Sequence, residues 1–351
     1  MNISKNLLQT NKWKWLMFKI THPYIPSLLC REGSSRGGLT KKENVSKNTI
    51  GISEISVKQF SYKNILQTNK WKVLLAVFVL FVFIACYVDE QNIIALKFKA
   101  EQYINYNDGN YRTSLPVKQN FAFKEGEVLS YRVHYGFIDA GVAIIEVKPE
   151  LEEIGGRKVY HVVGNGYSKG TFDFFFKVRD RYESYIDKDA LLPWLFIRRV
   201  DEGGFKFSQN YFFNHYKKEV KTEDNQVYPI TDEVHDMISA FYAARNIDFS
   251  NAKPGDVFTV MSFVDKELWP LKMKYLGKDE IKTDIGKFKC LKFCPIVQRG
   301  RIFKKEEDLL VWITDDKNHI PLRAQAKILV GSIKMDITDI KNPANPLSIV
   351  K

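Results

Sequence analysis

Residues 129–135, Leu129-Ser130-Tyr131-Arg132-Val133-His134-Tyr135, alternate an apolar face (Leu129, Tyr131, Val133, Tyr135) with a polar one (Ser130, Arg132, His134). A period of two is the spacing of a β-strand with one face buried. Gly136-Phe137-Ile138-Asp139-Ala140-Gly141 then turns the chain, and Val142 to Val147 brings it back as the second arm of a hairpin. Working outward, the same pattern predicts strands at 157–164, 177–186, 194–200, 205–213 and 216–222, with Glu202-Gly203-Gly204 as one of the turns. Beyond the turn signal Pro254-Gly255-Asp256, strands are expected at 257–264, 270–276, 278–283, 287–297, 308–314, 320–330 and 333–340. About a dozen short strands at close spacing mean a mainly β chain, folded as an antiparallel curved sheet, partial barrel or sandwich, and not as alternating βαβ units. The 25 phenylalanines and 17 tyrosines suit pleated, half-buried faces.

One segment departs from this pattern. Residues 232–247 place Val234, Ile238, Phe241, Tyr242 and Ile247 at helical spacing, with Thr231 or Asp232 as N-cap and Arg245 in the last turn. A single amphipathic helix must lay its apolar stripe on the sheet, as plug or lid.

The length, 351 residues, suits one large domain or two ordinary ones, and the net charge of +12 invites a nucleic-acid reading. The charge is not spread evenly. Residues 1–86 hold 13 Lys and Arg against three acids, so the remaining chain is close to neutral and no nucleic-acid partner is expected. Residues 73–88, VLLAVFVLFVFIACYV, are an unbroken apolar run with lysines before it and acids after it. Such a run is a signal peptide or a short anchor, and either orientation carries the rest of the chain across the membrane. Phe83-Ile84-Ala85-Cys86 is similar to a loose bacterial lipobox, which makes Cys86 the lipidation candidate. Asn6–Lys14 recurs as Asn64–Lys72 with one Leu-to-Ile change, and no third copy follows. The organisation expected is a disordered or non-mature extension over 1–63, a signal or anchor over 64–90, a linker over 91–120 and one β-rich domain over 121–345.

The stretch Phe123-Lys124-Glu125-Gly126-Glu127, running into Tyr131-Arg132-Val133-His134-Tyr135-Gly136, resembles the opening of a bacterial envelope family known as domain of unknown function 3108. Asp139-Ala140-Gly141 and the helix Asp236-Met237-Ile238-Ser239-Ala240-Phe241-Tyr242 fit the same family. So do Lys253-Pro254-Gly255-Asp256, Gly300-Arg301-Ile302-Phe303 and Val311-Trp312-Ile313-Thr314-Asp315-Asp316. The resemblance spans about 121–340. It implies an exported β-rich protein and carries over no catalytic residue.

No metal, phosphate or nucleophile motif stands out among the six histidines and four cysteines, and no cofactor is expected. His134 and His161, with Asp139 or Asp180, are the one pairing that could act as general base and orienter. Cys290 and Cys294 lie four apart on a strand, too far for a disulfide, and read as two half-buried thiols. Phe172-Asp173-Phe174-Phe175-Phe176 is the most apolar run of the exported part, and alternation would put Phe172, Phe174 and Phe176 on one face. With Tyr131, Tyr135, Trp194 and Trp312 these rings are the expected wall for a greasy ligand, and Arg179 and Arg181 the expected grip on an anionic head group. The leading expectation is a non-enzymatic envelope protein binding a lipid or other hydrophobic ligand, or an extended partner, on its sheet. The alternatives are a structural or assembly component contacting other envelope proteins, and a hydrolase with an Asp/His site.

Overall fold

The computed structural model describes residue 78 and residues 89–104, 114–296, 308–327 and 332–350. Leu96–Lys351 lie in one compact unit; of a second, Pro26–Ala95, only residue 78 and the helical residues 89–95 are described. The extension 1–63, Cys86 and the loop 300–303 lie outside the described residues, as does the apolar run 73–88 except for Phe78.

Among the described residues fifteen strands, each paired antiparallel, form a single sheet. They are β1 (Val128–Tyr135), β2 (Ile138–Val147), β3 (Glu152–Ile154), β4 (Arg157–Ser168), β5 (Arg179–Asp187), β6 (Pro193–Glu202), β7 (Phe205–Asn214) and β8 (Glu219–Thr222). They continue as β9 (Val227–Pro229), β10 (Val257–Val264), β11 (Glu267–Thr283), β12 (Gly286–Pro295), β13 (Leu309–Thr314), β14 (Pro321–Lys327) and β15 (Ser332–Lys341). Sheet order follows chain order except at one seam. The last strand, β15, pairs with the first, β1, so β9 and β10 become the two edges, while β3 pairs only with β4.

Among the described residues the helices that accompany the sheet are α1 (89–104), α2 (Gly170–Phe175) and α3 (Met237–Arg245). Residues 91–104, within the stretch expected as linker, are therefore helical. Beyond Leu96, α1 buries Ala100 and Ile104, and Asn214 Nδ2 of β7 donates to the Tyr103 carbonyl at 2.8 Å.

Helix α3 shows that the sheet curls. Ile238, Phe241 and Tyr242 pack on Phe123, Tyr160, Val162 and Ile186, and Phe241 also packs on the Leu129, Tyr131, Phe288 and Trp312 cluster. Ile238 reaches a third cluster, Phe196, Tyr211, Phe213 and Phe263. Strands from both halves of the sheet touch one short helix, so the sheet must wrap around it. Phe263 belongs to the edge strand β10, yet it lies edge-on to Tyr211 of β7 at 5.0 Å. The sheet does not close into a barrel, but a single parallel bridge from His235 to Ser262 links the segment after β9 to β10.

The helix starts later than its apolar spacing suggests. Asp236 is the N-cap: its Oδ1 accepts from the Ile238 and Ser239 amides at 2.7 and 2.8 Å, and Ser239 Oγ accepts from the Asp236 amide at 2.9 Å. This capping box supersedes Thr231 and Asp232. The preceding residues turn through Glu233, in the left-handed region at φ 58°, so that His235 can extend along β10.

Four further expectations are corrected by local geometry. In β1, Leu129 and Tyr131 are buried as expected, but Val133 and Tyr135 are only half-buried, and His134, on the polar face, is buried through its contact with Asp336 of β15. The segments 270–276 and 278–283 are one 17-residue strand, β11, irregular between Tyr275 and Gly277. The run Phe172–Phe176 does not alternate, because residues 170–175 form a helical turn. Asp173 ties that turn to Ser168 and to Arg179, whose Nη1 lies 2.7 Å away. Cys290 and Cys294 are both fully buried, not half-buried, and burial pushes the Cys290 thiol up to about 12.

Candidate functional site

A turn and a helix end build the site. Between β13 and β14, Asp316 Oδ1 accepts from Thr314 Oγ1, the Asn318 amide and Asn318 Nδ2, each at 2.9 Å, and its Oδ2 accepts from the Ser348 amide at 2.7 Å. An aspartate satisfied this fully fixes the loop. Its consequence is His319, held at φ 45°. The Asn318 carbonyl accepts from Arg245 Nε at 2.9 Å, and the Arg245 carbonyl accepts from His319 Nδ1 at 2.7 Å. Arg245 in turn makes a two-pronged contact with Glu127, at 2.6 and 2.8 Å, and donates to the Ala122 carbonyl at 2.9 Å. Arg245 and Glu127 are buried. A planar guanidinium matched by a carboxylate and two carbonyls is how a buried charge is tolerated.

The bond to the Arg245 carbonyl fixes the imidazole tautomer: Nδ1 carries the proton and Nε2 is left as an acceptor with no protein hydrogen bond. Burial holds this histidine below its ordinary value, so it is neutral near pH 7. Phe121 and Phe249 meet its ring edge-on at 6.2 and 5.0 Å. These rings, with Tyr275 and Leu291, floor a cleft of about 550 Å³. Phe293 supports the floor from beneath, 4.9 Å from Phe249 and 5.2 Å from Tyr275. The rim is polar: Gln119, Ser250, Lys317, Asp248 and the ion pair Lys278–Asp315 at 2.8 Å. The Ser250 amide donates to Asp248 at 2.9 Å and helps hold its carboxyl below the usual carboxylate range.

Chemically, this is a place to seat an amphipathic molecule, with an aromatic floor, a charged rim and one fixed acceptor. No hydrogen bond joins His319 to the Ser250 or Asp248 side chain. A second cleft, of about 590 Å³, lies between α1 and β7–β8. Its charged lining is mostly basic, with Lys99, Lys217 and Lys221 against Glu223.

The model of a family described as "Protein of unknown function (DUF3108)" matches residues 130–338. The chain belongs to the DUF3108 family. Three of the stretches that carried the resemblance meet at this site: Glu127 closes the first, Arg245 follows the helix motif by one turn, and Asp315-Asp316 end the last. No curated protein matches the chain. Among solved structures, it is similar to a β-barrel-like DUF1849 protein of Brucella abortus, at 8% identity and a TM-score of 0.43, over 63% of this chain and 99% of that one. It is also similar to a candidate lipoprotein of Parabacteroides distasonis, at 14% identity, a TM-score of 0.30, and 65% and 100% of the two chains. A third likeness is to the hypothetical protein CT021 of Chlamydia trachomatis, at 8%, 0.31, and 65% and 93%. Scores and identities this low carry no functional inference.

In this DUF3108 chain the residues expected to form one ligand wall stand apart. Tyr131 and Trp194 are 1% and 0% exposed, enclosed by protein, and Trp194 Nε1 donates to Asp187 at 2.9 Å. Trp312 is buried, donating to Asp279 at 2.9 Å with Lys292 above its ring. Tyr135 and Phe172 are half-buried, and Phe176 is buried, its ring lying where a Cβ on Gly203 would fall. Phe174 and Phe175 point into solvent. Arg179 is taken by Asp173, and Arg181 by Glu183 at 2.8 Å. The physical reason is that inward positions on a curled sheet feed the core around α3, while the helical turn fans the phenylalanines out.

His134 and His161 also do not meet. His134 bonds Asp336 at 2.8 Å. His161 sits between Glu152 and Glu183, 2.8 Å from each, stacked on Tyr185 at 4.3 Å. Asp139 pairs with Arg132, and Asp180 accepts from the Asp201 amide. Among the described residues no group of three or more His, Cys, Asp or Glu could hold a metal ion. Sequence reading missed Phe121, Phe249, Tyr275 and His319. The one available signal is the dense polar run Asp315-Asp316-Lys317-Asn318-His319 between two strands.

Proposed function

We propose that this protein is a non-enzymatic, exported component of the cell envelope that binds a small amphipathic ligand in the cleft beside His319. The observation that carries the reading is the contrast between two concave places. The hollow of the sheet is occupied by α3 and buried side chains, whereas the cleft offers Phe121, Phe249 and Tyr275 under a charged rim. The ligand's apolar body would lie on the ring floor, and a hydrogen-bond donor on it would reach His319 Nε2. Export rests on the charge-flanked run 73–88, and anchoring on that run or on lipidated Cys86. The protein then faces the periplasm or lies against the outer membrane. No helix among the described residues is long and apolar enough to cross a membrane.

The test is native mass spectrometry of the full chain isolated from its own envelope, beside a Ser250→Trp variant that fills the mouth without touching the core. A discrete small-molecule adduct on the parent chain, lost in the variant, is expected. A clean apo mass, or an adduct that survives Ser250→Trp, overturns the assignment.

A further inference from the structure

At one end of the sheet the chain exposes large apolar side chains that nothing in the fold requires. Phe137, at the tip of the β1–β2 turn, is 97% exposed and Ile138 beside it 48%. Phe174 and Phe175, on α2, are 87% and 60% exposed. Phe137 and Phe174 are the two most exposed phenylalanines among the described residues. The two projections are neighbours: β2 and β4 run together to Gly141 and Ser168, the Lys169 amide donates to the Ala140 carbonyl at 3.0 Å, and α2 packs on β2.

We propose that this end is a second membrane-contact surface, seating on an anionic lipid bilayer. Exposed apolar clusters mark interaction sites, and the charges around this one select the partner. Its acids are paired: Asp139 and Asp284 share Arg132, at 3.6 and 3.7 Å, and Asp173 pairs with Arg179 at 2.7 Å. Lys169 and Lys177, which bracket the helical turn, close no ion pair among the described residues. Unmatched lysines beside protruding phenylalanines fit phosphate head groups over acyl chains, with the rings entering and the ammonium groups staying at the interface. The rings stand on two separate projections, the β1–β2 turn and α2, which suits a soft bilayer better than a shaped protein partner. The surface is independent of the cleft and of whatever residues 73–88 do.

The experiment reads this end locally, in the full chain. An environment-sensitive dye goes on Thr171→Cys, or on Ser250→Cys as the distant control, in a Cys30→Ser, Cys86→Ser background. The protein is mixed with phosphatidylethanolamine vesicles containing roughly one-third phosphatidylglycerol. The dye at 171 is expected to shift blue and be quenched by acyl-chain nitroxides, and the dye at 250 to remain aqueous. Phe174→Ser with Phe175→Ser should weaken the signal on the order of tenfold. The proposal is overturned if the dye at 171 stays aqueous, or if its shift survives the double substitution. A shift that follows protein concentration without vesicles also overturns it and points to a second copy of the chain.

Discussion

Arg245 is the residue on which most of the interior depends. Its guanidinium joins Glu127, Ala122 and Asn318, and its carbonyl orients His319. Arg245→Met leaves a buried carboxylate without a partner and should cost about 3 to 5 kcal/mol. Replacing both partners, with Glu127→Leu added, should cost clearly less than the two single changes summed; urea denaturation of the three variants measures this, and strict additivity would sink the idea. The sequence shows Arg245 as a helix-end cation but not its partner, which lies 118 residues away and becomes a neighbour only when the sheet curls. His161 gives a pH test at the same scale. Burial opposes its charge, but Glu152 and Glu183 outweigh that and raise it above its ordinary 6.5. Hydrogen bonds from His161 and Lys97 hold Glu152 down to about 2 against burial, and Glu183 is likewise lowered. A raised histidine contributes below its unfolded value and fades as pH rises through its folded one; a lowered carboxylate contributes above its unfolded value and fades as pH falls. The cluster thus contributes fully between about pH 4.5 and 6.5, and fades from there towards about 2 and above neutrality. Wild type minus His161→Gln stability, followed by thermal unfolding against pH, should peak in that window, and a flat difference contradicts the clamp.

At the scale of elements, the capping box at the start of α3 is the sharpest test. Asp236→Ala loses the cap and should cost about 1 to 2 kcal/mol, while Asp236→Asn keeps the acceptor. Burial pushes the Asp236 carboxyl up from 3.8 to about 6. The folded state therefore disfavours its ionised form, a cost that sets in across that range and is complete above it. Asp236→Asn should gain on the parent as pH rises from about 4 to 6, which unfolding midpoints at both ends would show. The hairpin motif Asp139-Ala140-Gly141 has a plain steric reason: a Cβ on Gly141 would fall 2.6 Å from the Tyr167 carbonyl oxygen across the β2–β4 pair. Gly141→Ala should cost about 1 to 3 kcal/mol in the same denaturation series. Periodicity made nearly every long strand legible. It failed at the three-residue strands β3 and β9, and at His134 of β1, a polar-face residue that its partner Asp336 buries.

For the molecule as a whole, the seam between β1 and β15 decides integrity. A strand at the C-terminus holds the two halves of the sheet together, so removing residues 332–351 exposes β1 and β14 as edges at the centre of the fold. No cooperative thermal transition is expected from that truncation, and a retained one would contradict the seam's role. The β class and an amphipathic helix packed on the sheet, as plug or lid, were readable from spacing, and the family from its motifs; the structure makes that helix a plug. The cleft was not, because its floor gathers Phe121, Phe249, Tyr275, Leu291 and His319 from five separate segments. The most direct test of that cleft is backbone hydrogen exchange on the full chain, stripped of bound small molecules and then reloaded with the extract from its own envelope. Slowed exchange confined to residues 246–252, 275–278 and 314–319 is the expected result; no slowing, or slowing confined to other segments, contradicts the cleft as the binding site.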